Sequence, residues 1–446
     1  MPEVNQGERI MPSLKEQILN MVGQYITEAK KEFKPGETII QYSGPVFDSS
    51  EIKAIVGTVL EGWFGLSEDS VKFEEQIAKR LSKQYSVFTN SGSSANLIAL
   101  EVMKEIYLKE PGRNKIIVPA VSFPTTLNPI IQLGFEPVFV DINLGTYNVI
   151  DEQVMDALED QSVIGLVYAH SMGNPVFNTK KYYEIIKKRN GFLIEDCCDA
   201  LGSKYGDILV GTYSDAATLS LYAAHHITTG EGGVVALNNI KEKNIAVSYR
   251  DWGRDCFCSG KNVLSKNGAC NKRFSDWMGD GTITDHRYVY TRLGYNLKPL
   301  ELQASMGLEQ IKKLDKFIQK RKDNFRILDD FMKKYEDYFI LPQAEENCDP
   351  SWFSYPITVK KDAGFKRSDI VKVLENNKIQ TRNFFGGNLL KHSAYKNINH
   401  TERTSLNNSS FVTQNTFMIG VYPGITNEMY DYIFTVINKF FSGARR

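Results

Sequence analysis

Short runs rich in Val, Ile and Phe alternate with helical stretches between about residues 50 and 310, and this alternation constrains the fold more than any other feature of the sequence. Buried strands of this composition, separated by helices, are typical of a mostly parallel sheet that is covered on both faces. We therefore predict an α/β domain that binds its ligands at the carboxyl ends of the strands. The runs read YSVFTN (85–90), NKIIVPA (114–120), EPVFVDI (136–142), SVIGLVYAH (162–170), GFLIEDCC (191–198), AATLSLY (216–222) and GGVVAL (232–237).

The chain is long enough, at 446 residues, for a large domain and a smaller one. We assign residues 1–45 to an N-terminal helical extension, 46–310 to the large domain, and 311–446 to a bridging helix with a smaller α+β C-terminal domain. Apolar residues recur at helical spacing over residues 13–33. A long helical pattern over residues 301–338 leads into the C-terminal part, which mixes strand-like runs such as SWFSYPITVK with helical runs such as NEMYDYIFTVINKFFS.

The charge balance argues against two classes of function. Lys and Arg together number 53, as do Asp and Glu, so nothing favours broad binding to nucleic acid or to anionic membranes.

The first residues, MPEVNQGERIMPSLKEQ, hold no apolar signal-peptide core, and no apolar run approaches the roughly 20 residues that span a bilayer. We therefore expect a cytoplasmic protein, whose six cysteines form no disulfide framework.

Three features follow strand ends in order along the chain. In TNSGSSAN (89–96), Gly92 and Ser93 stand at a predicted helix N-terminus, where backbone N–H groups favour phosphate, although most such turns are only helix caps. Phe123 suits either an apolar core or a platform for a flat ligand. Asp196 suits either a surface cap or a partner for a protonated ring nitrogen. Their shared position at strand ends predicts one ligand pocket.

Together with LSLYAAHHITTGEGG, GYNLKPLELQASMGLEQI and VYPGIT, these segments resemble the sugar aminotransferase family of fold-type I pyridoxal-phosphate-dependent proteins. The resemblance extends from about residue 45 to the C-terminus. It implies a fold-type I aminotransferase-like α/β architecture. In that architecture a large cofactor-binding domain, with a mostly parallel central sheet flanked by helices, precedes a smaller α+β C-terminal domain.

The resemblance also implies how a pyridoxal-type cofactor is held. The aromatic ring stacks on it, the strand-end carboxylate pairs with the pyridine nitrogen, and small residues hold the phosphate. By resemblance, these residues are Phe123 for stacking, Asp196 for the nitrogen, and Gly92, Ser93 and Ser220 for the phosphate.

A second subunit is implied as well. By resemblance, Asn296 reaches the phosphate in the neighbouring subunit, so we expect a homodimer with shared active sites. The segments GWFGL (62–66) and TRNFFGGN (381–388) are implied to contact the substrate.

His225 stands where this family carries the lysine that forms a Schiff base with the cofactor, five residues after Ser220. An imidazole cannot form a stable Schiff base, so the cofactor is expected to work in its amine form, pyridoxamine phosphate. Because an unperturbed histidine titrates near a pKa of about 6.5, His225 suits the role of general base. The alternative is an inactive aminotransferase that has lost its lysine. His226 is expected to be structural.

The segment YAAHHITTGEGG resembles the 3-dehydrases of dideoxysugar biosynthesis, which remove the C3 hydroxyl of a nucleotide-linked 4-keto-6-deoxyhexose. One branch of these enzymes acts on a GDP-sugar, has no iron–sulfur cluster and recharges its cofactor with glutamate. The other branch acts on CDP-4-keto-6-deoxy-D-glucose and carries a 2Fe–2S cluster that receives electrons from a separate NADH-dependent flavin/iron–sulfur reductase.

The cysteine spacing favours the CDP branch. Cys198 is separated from Cys256 by 57 residues, and Cys258 follows as Cys-X-Cys. By resemblance, these three and Cys270 supply four thiolates to a 2Fe–2S cluster. The last gap, eleven residues, is longer than in that branch, so Cys270 departs from the pattern. Zinc, unliganded thiols, or Cys197 as a ligand in place of Cys198 remain open.

The sequence therefore predicts a pyridoxamine-phosphate-dependent 3-dehydrase acting on CDP-4-keto-6-deoxy-D-glucose, with His225 as base and an iron–sulfur cluster as the route for electrons. Two enzyme alternatives remain, a GDP-sugar 3-dehydrase and a nucleotide-sugar aminotransferase with an unusual base. A further alternative is a non-catalytic sensor that binds the cofactor.

Overall fold

The protein is described by a computed structural model over residues 12–29, 32–256 and 273–443. The described residues form twelve α-helices. These are α1 Leu14–Glu28, α2 Ser49–Leu60, α3 Glu68–Arg80, α4 Gly92–Tyr107, α5 Pro124–Gln132, α6 Asp151–Glu159, α7 Thr179–Lys188, α8 Ile240–Arg250, α9 Glu301–Met332, α10 Arg367–Asn376, α11 Asn407–Asn415 and α12 Asn427–Gly443.

Seventeen strands are present in the described part of the chain. They are β1 Tyr85–Thr89, β2 Lys115–Pro119, β3 Glu136–Val140, β4 Val163–Ala169, β5 Phe192–Asp196, β6 Lys204–Tyr205, β7 Ile208–Leu209, β8 Ala216–Ser220, β9 Gly233–Leu237, β10 Phe274–Ser275, β11 Thr284–Asp285, β12 Phe339–Ile340, β13 Cys348–Asp349, β14 Ser354–Val359, β15 Arg382–Asn383, β16 Thr401–Glu402 and β17 Thr416–Gly420.

The main sheet has eight strands in the order β1-β9-β8-β5-β4-β2-β3-β16. Strands β8, β5, β4, β2, β3 and β16 run parallel to their neighbours in that part of the order, whereas β9 is antiparallel to both β1 and β8. The predicted α/β fold with a mostly parallel central sheet is therefore confirmed. Because β5 and β8 are adjacent and parallel, their carboxyl ends bring Asp196 and Ser220 to the same edge of the sheet.

The strands are buried because helices cover both faces of the sheet. On one face, α4 and α5 pack against the sheet in a core that includes Ile98, Val102 and Ile130, each fully buried. On the other side, α3 and α9 contribute Phe73 and Leu314 to a second core. Burial on both faces explains why the strand sequences are continuous apolar runs.

The α9 helix joins the main sheet to a smaller, four-stranded antiparallel sheet. That sheet has the order β12-β14-β17-β15, and it is packed with α10 and α12 around an apolar core. The helical pattern predicted for residues 301–338 ends earlier, at Met332, and a 3₁₀ turn follows over Lys333–Tyr335. The short β16 strand pairs with β3, so a segment beyond residue 400 extends the main sheet.

The α1 helix begins after Ser13, whose hydroxyl accepts from the backbone N–H of Glu16 in a capping box. The α1 helix packs on α2, and the absence of a side chain at Gly23 of α1 leaves room for the Lys53 side chain of α2. Within the described ranges, no helix combines the length and apolar composition needed to cross a membrane.

Candidate active site

A cavity of about 600 Å³ lies at the carboxyl ends of β5 and β8. Its walls come from the main sheet, from the loop between β8 and β9, from Phe353 directly before β14, and from the small sheet through Arg382 and Met418. Seven residues singled out from the sequence line this cavity: Gly92, Ser93, Phe123, Asp196, Cys198, Ser220 and His225. Residues distant in sequence thus meet in one volume, of a size suited to a small-molecule ligand.

Gly92 opens α4 in close contact with Ser220 at the end of β8. A methyl group at Gly92 would lie 2.6 Å from Cβ of Ser220, so only glycine permits this approach without a shift. The preceding Ser91 caps the helix, because its hydroxyl accepts from the backbone N–H of Ser94 at 3.1 Å. The N-terminus of α4 lines the cavity beside the hydroxyls of Ser93 and Ser220, an arrangement suited to a phosphate group.

Asp196 is held in place by three hydrogen-bond donors. Its Oδ2 accepts from Asn96 Nδ2 at 2.9 Å and from Thr126 Oγ1 at 2.8 Å, and its Oδ1 accepts from the backbone N–H of Cys198 at 3.2 Å. Thr218 donates to Asn96 Oδ1 at 2.6 Å, which turns the amide so that its nitrogen faces Asp196. The carboxylate is buried yet lines the cavity, so it is fixed in position for a cationic partner.

The ring of Phe123, four residues beyond the end of β2, lines the cavity and remains 53% exposed. Its backbone forms the N-cap of α5, directly before Pro124 at the first helical position. An apolar ring left open to a cavity is suited to stacking against a flat ligand.

His225 lies in the loop between β8 and β9, and three contacts fix its position. Its backbone N–H donates to the carbonyl of Tyr222 at 3.1 Å, and its carbonyl accepts from Arg321 Nη2 at 3.2 Å. Its ring packs against Phe353 with the ring centroids 5.3 Å apart. Its Nδ1 lies 3.4 Å from Asp199 Oδ1, a contact longer than an ordinary hydrogen bond.

The surroundings of His225 are electrostatically unusual. Burial raises the pKa of Asp199, and the nearby His225 opposes that rise. Burial also lowers the pKa of Arg321 to about 10. Arg321 is 1% exposed, and its guanidinium donates to the backbone carbonyls of Trp352 and Phe353 as well as to that of His225. Arg321 of the long helix α9 therefore links the loop that carries His225 to the segment directly before β14.

His226 points away from the cavity. Its Nε2 contacts the carbonyl of Ser351 and lies 2.8 Å from the Ser351 hydroxyl. Burial, with Arg321 nearby, lowers the pKa of His226 well below its usual value, so the ring is neutral. The two adjacent histidines thus lie in different environments, one at the cavity and one in the interior.

Two of the four cysteines predicted to bind a cluster lie in the described part of the chain. Cys198 lines the cavity, and burial, followed by the charge of Asp196, raises the pKa of its thiol well above the usual value. Cys256 is described, whereas Cys258 and Cys270 lie outside the described residues.

The other cysteines lie elsewhere. Cys197, the alternative to Cys198, is fully buried in the core shared by α3 and α9. Cys348 belongs to β13.

Asn296 is exposed and forms a backbone bridge with Asp251. It does not line the cavity of its own chain among the described residues, so its role across a subunit interface stays a prediction. Of the two segments implied to contact substrate, residues 381–388 supply Arg382, Asn383 and Phe385 to the cavity, whereas residues 62–66 do not line it.

Sequence reasoning missed Asn96, Thr126, Asp199 and Arg321. Asn96 lies four residues after Gly92, one helical turn along α4, and Asp199 lies three residues after Asp196, so local spacing carried a weak signal for these two. Nothing local marked Arg321, because it reaches the site only through the packing of α9.

Two known proteins are similar to this chain over nearly its whole length. The lipopolysaccharide biosynthesis protein RfbH of Salmonella typhimurium is 40% identical over 436 residues, which cover 96% of this chain and 98% of the relative. The dTDP-4-dehydro-2,6-dideoxy-D-glucose 3-dehydratase of Saccharopolyspora spinosa is 40% identical over 439 residues, which cover 97% of this chain and 93% of the relative.

A solved structure and a family profile also match this chain. The Escherichia coli GDP-4-keto-6-deoxy-D-mannose-3-dehydratase with bound hydrated PLP matches with a TM-score of 0.77 and 29% identity, over 90% of this chain and 100% of that one. The profile of the DegT/DnrJ/EryC1/StrS aminotransferase family matches residues 45–438.

Proposed function

The chain belongs to the DegT/DnrJ/EryC1/StrS aminotransferase family, and we propose that it removes the C3 hydroxyl of a nucleotide-linked 4-keto-6-deoxyhexose with pyridoxamine phosphate as its cofactor. One observation carries this proposal. His225 lies in a cavity with Asp196 and Ser220, and no lysine is among the described residues that line it. Relatives named as sugar 3-dehydratases support the same reaction class.

The residues of the cavity fit such a cofactor. The N-terminus of α4 and the contact between Gly92 and Ser220 suit its phosphate, and the exposed ring of Phe123 suits its flat face. Asp196, held by three donors, suits a protonated pyridine nitrogen. When bound, pyridoxamine phosphate supplies a primary amine that condenses with a ketone and a ring that accepts electrons.

The residues of this chain then divide the work between them. Asp196 keeps the pyridine nitrogen protonated, because a carboxylate beside it favours the charged form. Ser93 and Ser220 hold the phosphate, and Phe123 fixes the plane of the ring. With the cofactor bound, His225 would remove a proton from C4′, the carbon that bears the amine, and the C3 hydroxyl of the sugar would take up a proton and leave as water. Since His225 carries no primary amine, the cofactor stays exchangeable.

A 2Fe–2S cluster held by Cys198, Cys256, Cys258 and Cys270 is part of the proposal. The spacing of the cysteines supports it, and Cys198 lies in the wall of the cavity, beside Asp196. Four thiolates are the usual ligand set of such a cluster. In this proposal the electrons come from a separate NADH-dependent flavin/iron–sulfur reductase.

For the nucleotide, we propose CDP-4-keto-6-deoxy-D-glucose as the substrate, because the spacing of Cys198, Cys256 and Cys258 resembles that of the CDP branch. A dTDP-sugar is the second candidate, since the Saccharopolyspora spinosa relative is named for one at 40% identity. We also propose a homodimer in which Asn296 reaches the cofactor phosphate of the neighbouring subunit.

Oxygen exchange at C3 tests the reaction class without the reductase. The protein, loaded with pyridoxamine phosphate, is incubated with the CDP-, dTDP- or GDP-linked 4-keto-6-deoxyhexose in ¹⁸O-labelled water. Reversible loss of the C3 hydroxyl places ¹⁸O at C3, which ¹³C NMR distinguishes from exchange at the C4 ketone. A 4-amino sugar formed with glutamate as donor would instead indicate an aminotransferase. No reaction with any of the three sugars would indicate a sensor.

A further inference from the structure

The charged residues of the cavity are unevenly distributed. Asp196, Asp199 and Glu231 line it, and all three are carboxylic acids. Among the described lining residues, Arg382 is the single Lys or Arg side chain. A doubly charged anion that enters such a cavity is repelled by the carboxylates unless a cation faces it. The position of Arg382 therefore decides where a second anion, besides the cofactor phosphate, is able to bind.

Arg382 lies on β15 of the small sheet, where it pairs with Met418 of β17. Its guanidinium lies over the ring of Tyr42, 4.3 Å from the ring centroid, and its Nη1 donates to the carbonyl of Thr381 at 2.7 Å. No ion pair joins Arg382 to a carboxylate in the described part of the chain, and its side chain is exposed. Stacking on Tyr42 orients the planar guanidinium while leaving other N–H donors free.

We propose that Arg382, stacked on Tyr42, binds the diphosphate of the nucleotide-sugar substrate. The inference rests on the proposed function and names the subsite for the charged part of that substrate. The α4 N-terminus, on the main sheet, serves the cofactor phosphate, so the two anions are assigned to different domains. A guanidinium suits a diphosphate because its N–H groups form paired, charge-assisted hydrogen bonds with phosphate oxygens.

Binding of nucleoside diphosphates by calorimetry tests this assignment without catalysis. The full-length protein loaded with pyridoxamine phosphate is titrated with CDP and dTDP, and with cytidine and thymidine, which carry the same bases without the charge. The variants are Arg382→Gln and Arg382→Lys. Arg326→Gln is the matched control, because Arg326 is an exposed arginine on α9 that pairs with Asp323.

We expect Arg382→Gln to lower the affinity for the nucleoside diphosphate that wild type binds by about tenfold. Its affinities for the nucleosides and for pyridoxamine phosphate should not change. The affinity of Arg382→Lys for that diphosphate should lie between those of wild type and Arg382→Gln, because lysine keeps the charge and lacks the planar guanidinium. Arg326→Gln should bind as wild type does. Thermal melting of each variant reports folding, and the exposed position of Arg382 favours retention of the fold.

Two results would overturn the inference. In one, Arg382→Gln lowers the affinity for pyridoxamine phosphate and not that for the nucleoside diphosphate, which would mean that Arg382 binds the cofactor. In the other, neither ligand is affected. In both cases ¹⁸O exchange at C3 by wild type still upholds the proposed function. Failure of wild type to bind any nucleoside diphosphate, with no exchange, would overturn both.

Discussion

Asp199 Oδ1 lies 3.4 Å from His225 Nδ1, inside the cavity that also holds Asp196 and Ser220. Both side chains are largely buried, at 7% and 15% exposure. Neither Asp199 Oδ2 nor His225 Nδ1 has a hydrogen-bond partner among the described residues. A carboxylate beside one imidazole nitrogen fixes which nitrogen carries the proton, and so leaves the other free to act as a base.

Substitution of Asp199 should therefore impair the proposed base without loss of cofactor binding. We expect Asp199→Asn to slow ¹⁸O exchange at C3 by about 10–100-fold, because the variant loses the negative charge beside the imidazole. Affinity for pyridoxamine phosphate, followed by fluorescence quenching, should stay within about threefold of wild type because the ring and phosphate contacts lie elsewhere. Asp330→Asn, at an exposed position of α9, is the matched control. Equal rates in Asp199→Asn and wild type would mean that Asp199 does not orient the base.

Arg321 should contribute to stability through the carbonyl groups that it satisfies. Removal of its guanidinium in Arg321→Met leaves the carbonyls of His225, Trp352 and Phe353 without that donor. We expect the free energy of unfolding in urea to fall by about 3 kcal/mol, because each buried carbonyl left unpaired costs about 1 kcal/mol or more. Arg321→Lys should recover part of the loss. A Met variant as stable as wild type would contradict the account.

His226 should make the fold sensitive to acid. Its folded-state pKa is lowered well below the usual value, so below about pH 6.5 the unfolded chain binds a proton that the folded chain does not. Stability is therefore lost as the pH falls. Between pH 7.5 and pH 5.5 this one group should lower the free energy of unfolding by about 1.4 kcal/mol.

The matching variant is His226→Gln, which removes the titrating ring. Urea unfolding at the two pH values should show a loss smaller by about 1.4 kcal/mol in the variant than in wild type. An identical loss in both proteins would show that His226 does not titrate with the lowered pKa that its burial indicates.

Iron content tests the proposed cluster. Protein purified without oxygen should be reddish-brown and contain about two irons per chain, as four thiolate ligands imply. Cys256→Ser or Cys258→Ser should remove the colour, whereas Cys348→Ser, on β13, should retain it. Zinc without iron in protein from iron-replete cells would rule out the cluster.

Much of the fold followed from local patterns in the sequence. The Val- and Ile-rich runs predicted the strands of the main sheet, because burial on both faces demands continuous apolar side chains. The extension of that sheet by β16 was not predicted, since Thr401 and Val138 pair across more than 250 residues. A two-residue strand carries no periodicity to detect.

The candidate site likewise contains some residues whose position the sequence predicted and others whose position it did not. Asp196 is the last residue of β5, and Gly92 and His225 lie three and five residues after β1 and β8, so their position at one edge of the sheet was predictable from order along the chain. Arg321 and Arg382 approach the cavity from α9 and from the small sheet. Their places depend on how the two sheets pack, which no local spacing in the sequence encodes.

Isotope washout directly measures the step assigned to His225, which is removal of a proton from C4′ of the cofactor. Pyridoxamine phosphate labelled with deuterium or tritium at C4′ is incubated with the protein and CDP-4-keto-6-deoxy-D-glucose, and release of label to water is followed. The assay needs no reductase, because proton removal precedes electron delivery. His225→Asn is the variant, since Asn keeps polarity and similar size.

Wild type should release the label, and His225→Asn should release it about 10²–10⁴-fold more slowly while retaining affinity for pyridoxamine phosphate. The dTDP- and GDP-sugars are run in parallel, so that a different nucleotide preference is distinguished from an inactive site. Equal release by both proteins would contradict the assignment of the base. Absence of release by wild type with all three sugars would contradict the proposed reaction itself.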